Sequence, residues 1–260
     1  MSISRWSGRV AVVTGASAGI GEATCIEFCK HGLITIGLAR RVEKMEEIRK
    51  SLSPEQSKLF HAMKCDVSNE AEIVQVFAEI EKKFGGVDVL VNNAGVIAKY
   101  NMIDENSASD MKRVIDTNVF GVINCTREAV KTMRKKNEAH VIHINSVAGH
   151  SMPFIAEFPA FGIYTASKYA VTAIAEQHRQ EFIKEKLNIK VTSLSPGAVA
   201  TEIFDTMNTE KTDPEKIKEF MAKIPFLASK DIADSIVFLL STPPNVLITE
   251  LTIRPMNEAF

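Results

Sequence analysis

Seven short apolar runs, separated by longer segments of helical periodicity, constrain this chain more than any other feature. They are Val10–Thr14, Leu33–Leu38, Leu59–Met63, Val87–Asn92, His140–Asn145, Ile189–Leu194 and Val246–Ile253. Most are rich in Val, Ile and Leu and short enough for strands. Near-continuous apolarity fits strands covered on both faces, as in a parallel sheet. Between the runs, Ile73, Val76, Phe77 and Ile80 follow the spacing of one buried helix face. Asp213-Pro214 reads as an N-cap followed by proline at the first helical position. Ser229 is expected to cap the helix carrying Ile232, Ile236, Val237 and Leu240, and Thr242-Pro243-Pro244-Asn245 to stop it. Strand–helix alternation of this kind predicts a doubly wound α/β sheet. With no linker or repeat in view, residues 1–260 read as a single domain.

Charge and composition narrow the partners. The 260 residues carry 31 basic and 32 acidic side chains, a net charge of −1. Nucleic-acid binding needs a basic excess or stripe, so it is not expected. No apolar run is long enough to span a membrane. The start lacks the apolar core of a signal peptide, and the last residues match no lipidation or peroxisomal signal. Cys25, Cys29, Cys65 and Cys125 form no C-x-x-C pair, so they read as reduced thiols of a cytoplasmic protein rather than a metal site.

Four runs end in small, turn-forming residues: Thr14-Gly15-Ala16-Ser17, Asn92-Asn93-Ala94-Gly95, Asn145-Ser146-Val147-Ala148-Gly149 and Ser195-Pro196-Gly197. Open α/β sheets bind ligands at the carboxyl ends of their strands, so something large is expected across this edge. The first run passes straight into Gly15-Ala16-Ser17-Ala18-Gly19-Ile20-Gly21 and then a helix. Its spacing is neither G-x-G-x-x-G nor a Walker A loop. It still supplies a sharp turn and close approach of a pyrophosphate to a helix N-terminus. After the second run an NAD-selective site would place an acid for the adenosine ribose hydroxyls. The chain has Leu38-Ala39-Arg40-Arg41 there, and its first acid is Glu43. Two guanidiniums suit a 2′-phosphate, hence NADP(H). Asp66, just after the third run, is placed to accept from an adenine amino group.

Tyr164 and Lys168 lie four apart on a helical pattern and share one face, whereas Tyr169 lies on another. An ordinary phenol is a poor base, and bringing it near neutrality takes about 4 kcal/mol. One ammonium at about 4 Å in an effective dielectric near 20 offers that magnitude. Ser146, at a strand end, is placed to hold a substrate oxygen. Asn118, inside a helical pattern where Asn is unfavourable, asks for a reason.

Together these residues resemble the classical short-chain dehydrogenase/reductase family. Thr14–Gly21 is similar to its T-G-x-x-x-G-I-G turn and Asn92–Gly95 to its N-N-A-G motif. Asn118, Ser146, Tyr164 and Lys168 are similar, in order, to its catalytic tetrad, and Pro196-Gly197 to the segment flanking the nicotinamide. Cys125–Ala129, Ile144–Ser146, Ser241–Pro243 and Arg254-Pro255 resemble the member-eleven type and the insect farnesol dehydrogenases within it. The resemblance implies a Rossmann-type sheet of about seven strands with helices on both faces, and a homodimer or homotetramer. It implies that Tyr164 exchanges a proton with substrate, Lys168 lowers the tyrosine's pKa and holds the nicotinamide ribose, Ser146 positions the substrate oxygen, and Asn118 supports a water. Gly15, Ser17, Gly19, Ile20, Arg40, Arg41, Asp66, Val67, Asn93, Tyr164, Lys168, Pro196, Gly197, Val199 and Thr201 would bind the cofactor.

Two departures stand out: an 18-residue separation of Ser146 from Tyr164, and an end without the glycine-rich tail of many relatives. The regions 150–163 and 198–228 are rich in Phe, Ile and Met and read as walls for an apolar alcohol, ketone or aldehyde such as a terpenoid or steroid. Packing in a core or against another subunit accounts for those residues equally well. The competing functional reading is a catalytically silent NADP(H)-sensing protein, which the complete tetrad opposes.

Overall fold

The computed structural model describes residues 3–105, 107–151, 161–203 and 224–258, with three isolated positions, 215, 219 and 222. Its centre is a seven-stranded parallel sheet. The strands are β1 (Val10–Thr14), β2 (Ile34–Ala39), β3 (Phe60–Lys64), β4 (Val89–Asn92), β5 (Ala139–Ile144), β6 (Ile189–Pro196) and β7 (Glu250–Ile253), in the order β3-β2-β1-β4-β5-β6-β7. Register runs Val12 beside Ile36 and Leu90, then Asn92 beside His143. Every residue of β1, β4, β5 and β6 is buried; β1 and β4 are almost unbroken in apolar character, whereas β5 and β6 also bury polar side chains, among them His140, His143, Lys190 and Thr192. The edge strand β7 alternates in exposure, and it begins at Glu250 rather than Val246. Val246 and Leu247 lie ahead of it, more than a third exposed.

The helices are α1 (Gly19–Lys30), α2 (Val42–Ser51), α3 (Pro54–Ser57), α4 (Glu70–Phe84), α5 (Ser107–Ile115), α6 (Gly121–Met133), α7 (Gly162–Lys184) and α8 (Ser229–Ser241). One sheet face packs on α1, α2 and α8 through Phe28, Met45, Ile232 and Ile236. The other packs on α4, α6 and α7 through Ile73, Phe77, Cys125 and Phe182. The predicted face of α4 is the buried one. Helix α8 ends before Thr242, as expected, but its start is a correction: Ser229 is the first helical residue and does not cap it. Ala228 holds the cap position, where its N–H donates to the Asp231 carboxylate at 2.8 Å. Asp213-Pro214 lies outside the described residues. All four cysteines are buried and none is in a disulfide. Among the described residues no helix is long and apolar enough to cross a membrane.

Strand order reverses between β1 and β4, and there the sheet opens a crevice at its carboxyl edge. The crevice is braced by side chains. Thr14 Oγ1 accepts from the N–H groups of Asn93 and Ala94, both at 3.0 Å. Asn93 Nδ2 donates back to the carbonyls of Thr14 and Gly15. The motifs ending β1 and β4 are thus one hydrogen-bonded unit.

Burial in β5 also predicts a pH dependence. His140 is fully enclosed, with Nε2 2.9 Å from Thr192 Oγ1. Desolvation, then the nearby cations of Lys190 and Arg5, push its pKa down to about 3. Between pH 6.5 and about 3 the unfolded chain binds the proton and the folded chain does not. Stability therefore falls as pH falls through that window, by about 1.4 kcal/mol per pH unit for this histidine. Urea titrations from pH 6.5 to 4 are expected to show His140→Gln with a slope shallower by about one proton.

Candidate active site

The carboxyl edge of β1, β2, β4, β5 and β6 encloses a cavity of about 470 Å³. Its floor is the glycine turn. Gly15 and Gly19 adopt φ of +66° and +59°, and a Cβ on Gly21 would stand 2.3 Å from the Gly15 carbonyl oxygen. No side chain caps α1, and Gly19 and Ile20 in its first turn line the cavity, an arrangement suited to an anionic group. The cradle therefore fits a dinucleotide pyrophosphate.

At one end, Arg41 donates to Ser17 Oγ at 3.2 and 3.4 Å. Arg40, largely exposed, comes within 3.9 Å of the Asp66 carboxylate. Asp66 Oδ1 accepts from both the N–H and the hydroxyl of Ser68, which fixes the carboxylate at the wall. Val67, Asn93, Pro196, Gly197, Val199 and Thr201 also line the cavity.

At the other end stand Ser146, Tyr164 and Lys168, all in the wall. Ser146 leaves β5 and caps a short 3-10 turn, where its Oγ accepts from the Ala148 N–H at 3.1 Å. Tyr164 and Lys168 lie on one buried face of α7, with the ammonium 5.6 Å from the phenol ring centroid. Tyr169, on the other side, is 43% exposed. Lys168 Nζ donates to the Ile144 carbonyl at 2.9 Å. Asn118 is not in the wall but behind it. It sits in a π-helical turn, Asp116–Phe120, between α5 and α6. Its amide donates to the Val96 carbonyl and Ser167 Oγ, and its Oδ1 accepts from the Val96 N–H. The widened turn is the reason an asparagine is found there: it pins the backbone after β4.

Burial dominates the electrostatics of this pair. Desolvation pushes the Tyr164 phenol up to about 12, against a lowering hydrogen bond with Ser146. Desolvation likewise pushes Lys168 down to about 8. With burial the leading cause for both groups, the phenol keeps its proton unless further positive charge enters the cavity.

Around Tyr164 the described wall is apolar. Ile97, Ala98, Val114 and Ala148 pack with it, joined by Val96, Phe161, Ile163 and Ile203. The Phe161 ring centroid is 6.3 Å from that of Tyr164. Arg113 also reaches the cavity, but its guanidinium is bound to Asp110 and the Ile97 carbonyl. The apolar residues of 152–160, and Phe204, Met207, Phe220 and Met221, lie outside the described residues.

Two lining acids, Glu202 and Glu258, had no signal in the sequence. Glu258 folds back so that its carboxylate, 1% exposed, accepts from the Ala198 N–H and the Arg254 guanidinium, both at 2.7 Å. It thereby fastens the chain's end to the Pro196-Gly197 turn. Glu258→Ala removes the charged acceptor from the half-buried Ala198 N–H, at a cost of about 1–3 kcal/mol. Thermal unfolding is expected to shift down by several degrees, and cofactor affinity to weaken with it.

A glycine cradle at a strand-order reversal, with a tyrosine and lysine enclosed across the same crevice, defines an α/β protein equipped for dinucleotide-assisted chemistry. The family model described as short chain dehydrogenase matches residues 9–212, and the chain belongs to that family of nicotinamide-dependent oxidoreductases. It is 46% identical to a farnesol dehydrogenase of Aedes aegypti over 98% of this chain and 99% of that one. It is 38% identical to the dehydrogenase/reductase SDR family member 11 of Gallus gallus, covering 98% of both chains. Among solved structures, the closed form of a serine dehydrogenase complexed with NADP+ superposes with a TM-score of 0.83, at 26% identity and 96% coverage of each chain.

Proposed function

We propose that this protein is an NADP(H)-dependent oxidoreductase acting on an apolar alcohol and the corresponding ketone or aldehyde, with a terpenoid such as farnesol, or a steroid, as the substrate class. The carrying observation is the convergence of Ser146, Tyr164 and Lys168 on one enclosed, apolar-walled end of the cavity whose other end is the glycine cradle. Gly15, Ser17, Gly19 and Ile20 would cradle the pyrophosphate, and Arg40 and Arg41 the 2′-phosphate. Lys168 would hold the nicotinamide ribose, with Pro196, Gly197, Val199 and Thr201 along the nicotinamide. The oxidised nicotinamide, when bound, supplies the hydride acceptor and a positive charge in the cavity.

Tyr164 is the acid and base. Its high pKa in the desolvated wall keeps the hydroxyl protonated and ready to donate to a carbonyl oxygen during reduction. Ser146 steadies that oxygen, while the Lys168 ammonium favours the phenolate left behind. Asn118 acts at one remove, by fixing Val96 and Ser167 around this end. The NADP+ complex of the serine dehydrogenase and the farnesol dehydrogenase relative support cofactor and substrate class respectively. The proposal extends to residues 1–260 working as one unit, in a cytoplasmic homodimer or homotetramer, on the strength of family likeness.

The test is absorbance at the nicotinamide band. NADP+ with farnesol-like alcohols and hydroxysteroids, and NADPH with apolar ketones and aldehydes, are expected to give turnover. Binding of NADPH with no turnover across the panel would instead establish the catalytically silent reading.

A further inference from the structure

The basic corner of the cavity already holds an acid of the chain's own. Glu202 Oε2 accepts from Arg41 Nη2 at 3.0 Å, and Oε1 accepts from Lys44 Nζ at 2.9 Å. The carboxylate thus places one oxygen on each cation. Arg41, Ser17 and Glu202 line the same cavity, and Arg41 bonds both of the others. Lys44 follows Arg41 by three residues, at the start of α2.

Glu202 reaches this corner from far along the chain. The segment leaving β6 is bridged at Val199 to Leu227 and then crosses the glycine turn. There a Cβ added to Gly19 would lie 2.9 Å from the Thr201 methyl. One residue on, Glu202 meets α2. The segment that contributes Val199 and Ile203 to the cavity wall is therefore tied by its acid to the residues that face the adenosine end.

Carboxylate and phosphate take the same charge-assisted hydrogen bonds from arginine and lysine, and the phosphate offers more oxygens and more charge. Both ion pairs are 40–47% exposed, and such pairs are weak and exchange readily. We propose that Glu202 is an internal occupant of the 2′-phosphate site, displaced from Arg41 and Lys44 when a 2′-phosphorylated adenosine binds and left in place when an unphosphorylated one binds. This rests on the NADP(H) reading above. It makes Lys44 a further 2′-phosphate ligand and Glu202 a brake on NADP(H) affinity. It also ties release of the 199–203 segment to the one chemical group that separates the two cofactors.

The experiment compares adenosine 2′,5′-bisphosphate with adenosine 5′-monophosphate, ligands that differ only in the 2′-phosphate. Dissociation constants are measured by calorimetry on the wild type, Glu202→Gln, Glu202→Asp and Lys44→Met. Glu202→Gln is expected to tighten the bisphosphate about three- to tenfold and leave the monophosphate within about twofold. Glu202→Asp, which keeps the charge but withdraws it by one methylene, is expected to recover at least half of that gain. Lys44→Met is expected to weaken the bisphosphate alone. A wild type with equal affinity for the two ligands overturns the NADP(H) reading and the inference together. A wild type that prefers the bisphosphate, but whose preference Glu202→Gln leaves unchanged or lowers, overturns the inference alone. So does a gain in Glu202→Gln with none in Glu202→Asp, because the effect is then one of distant charge rather than of occupancy.

Discussion

Tyr164→Phe is expected to lower turnover by about 10²- to 10⁴-fold, the range in which a positioned acid or base contributes. NADPH binding and the melting temperature should stay close to wild type. The variant removes one oxygen and little else. The ring, 7% exposed and packed against Phe161, Ile97 and Ala148, keeps its apolar contacts. The hydroxyl it loses is the group that bonds Ser146 inside the cavity. Single-turnover reduction of an apolar ketone, with NADPH binding followed separately by fluorescence, measures the two effects independently. Turnover within about tenfold of wild type would show that another group moves the proton.

The parts of this architecture legible in the sequence are those written in adjacent residues. The runs at β1 and β4 are nearly continuous in apolar character because they are buried on both faces, and β5 and β6 keep enough Val, Ile and Leu to be recognised despite the polar side chains they bury. At the edge, where one face meets solvent, the apolar run beginning at Val246 outlasts the pairing, which starts at Glu250. The cap of α8 falls one residue ahead of Ser229, at Ala228, where the Asp231 carboxylate rather than a serine hydroxyl takes the N–H at the helix start.

In the cavity, the glycine turn and the Tyr164–Lys168 pair are local patterns, and both were readable. Asn118 announced itself as an asparagine in a helix, but its partners Val96 and Ser167 lie 22 and 49 residues away. Glu258 and Glu202 reach Ala198 and Arg41 across 60 and 161 residues, and no short motif marks such meetings. The upward push that burial gives the phenol was not legible, for a different reason. Pair attraction follows from spacing, whereas desolvation depends on how completely the whole fold encloses the pair.

Arg40→Asp combined with Arg41→Ala is expected to weaken NADPH by about 10²- to 10³-fold and NADH by no more than a few-fold. Each charge-assisted bond to a phosphate contributes about 1.5–3 kcal/mol. Two of them, at the lower end because both arginines are exposed, correspond to that range. Charge reversal at Arg40 adds repulsion toward the 2′-phosphate. It also sets a second carboxylate near Asp66, now without the guanidinium 3.9 Å away. NADH carries no 2′-phosphate, so its affinity rests on the glycine cradle, where the variant removes only the Arg41 bonds to Ser17, and on the nicotinamide end, which it leaves intact. Removing Arg41 further strips Glu202 of one of its two cations and leaves Lys44 as its remaining partner. The variant should therefore lose most of any gain that Glu202→Gln gives to the wild type, because the site the glutamate occupies is no longer formed. Dissociation constants for both cofactors, with and without Glu202→Gln, make a double-mutant cycle whose coupling reads that shared site directly. Loss of NADPH and NADH in equal proportion would mean instead that the two arginines support the loop after β2 and do not read the phosphate.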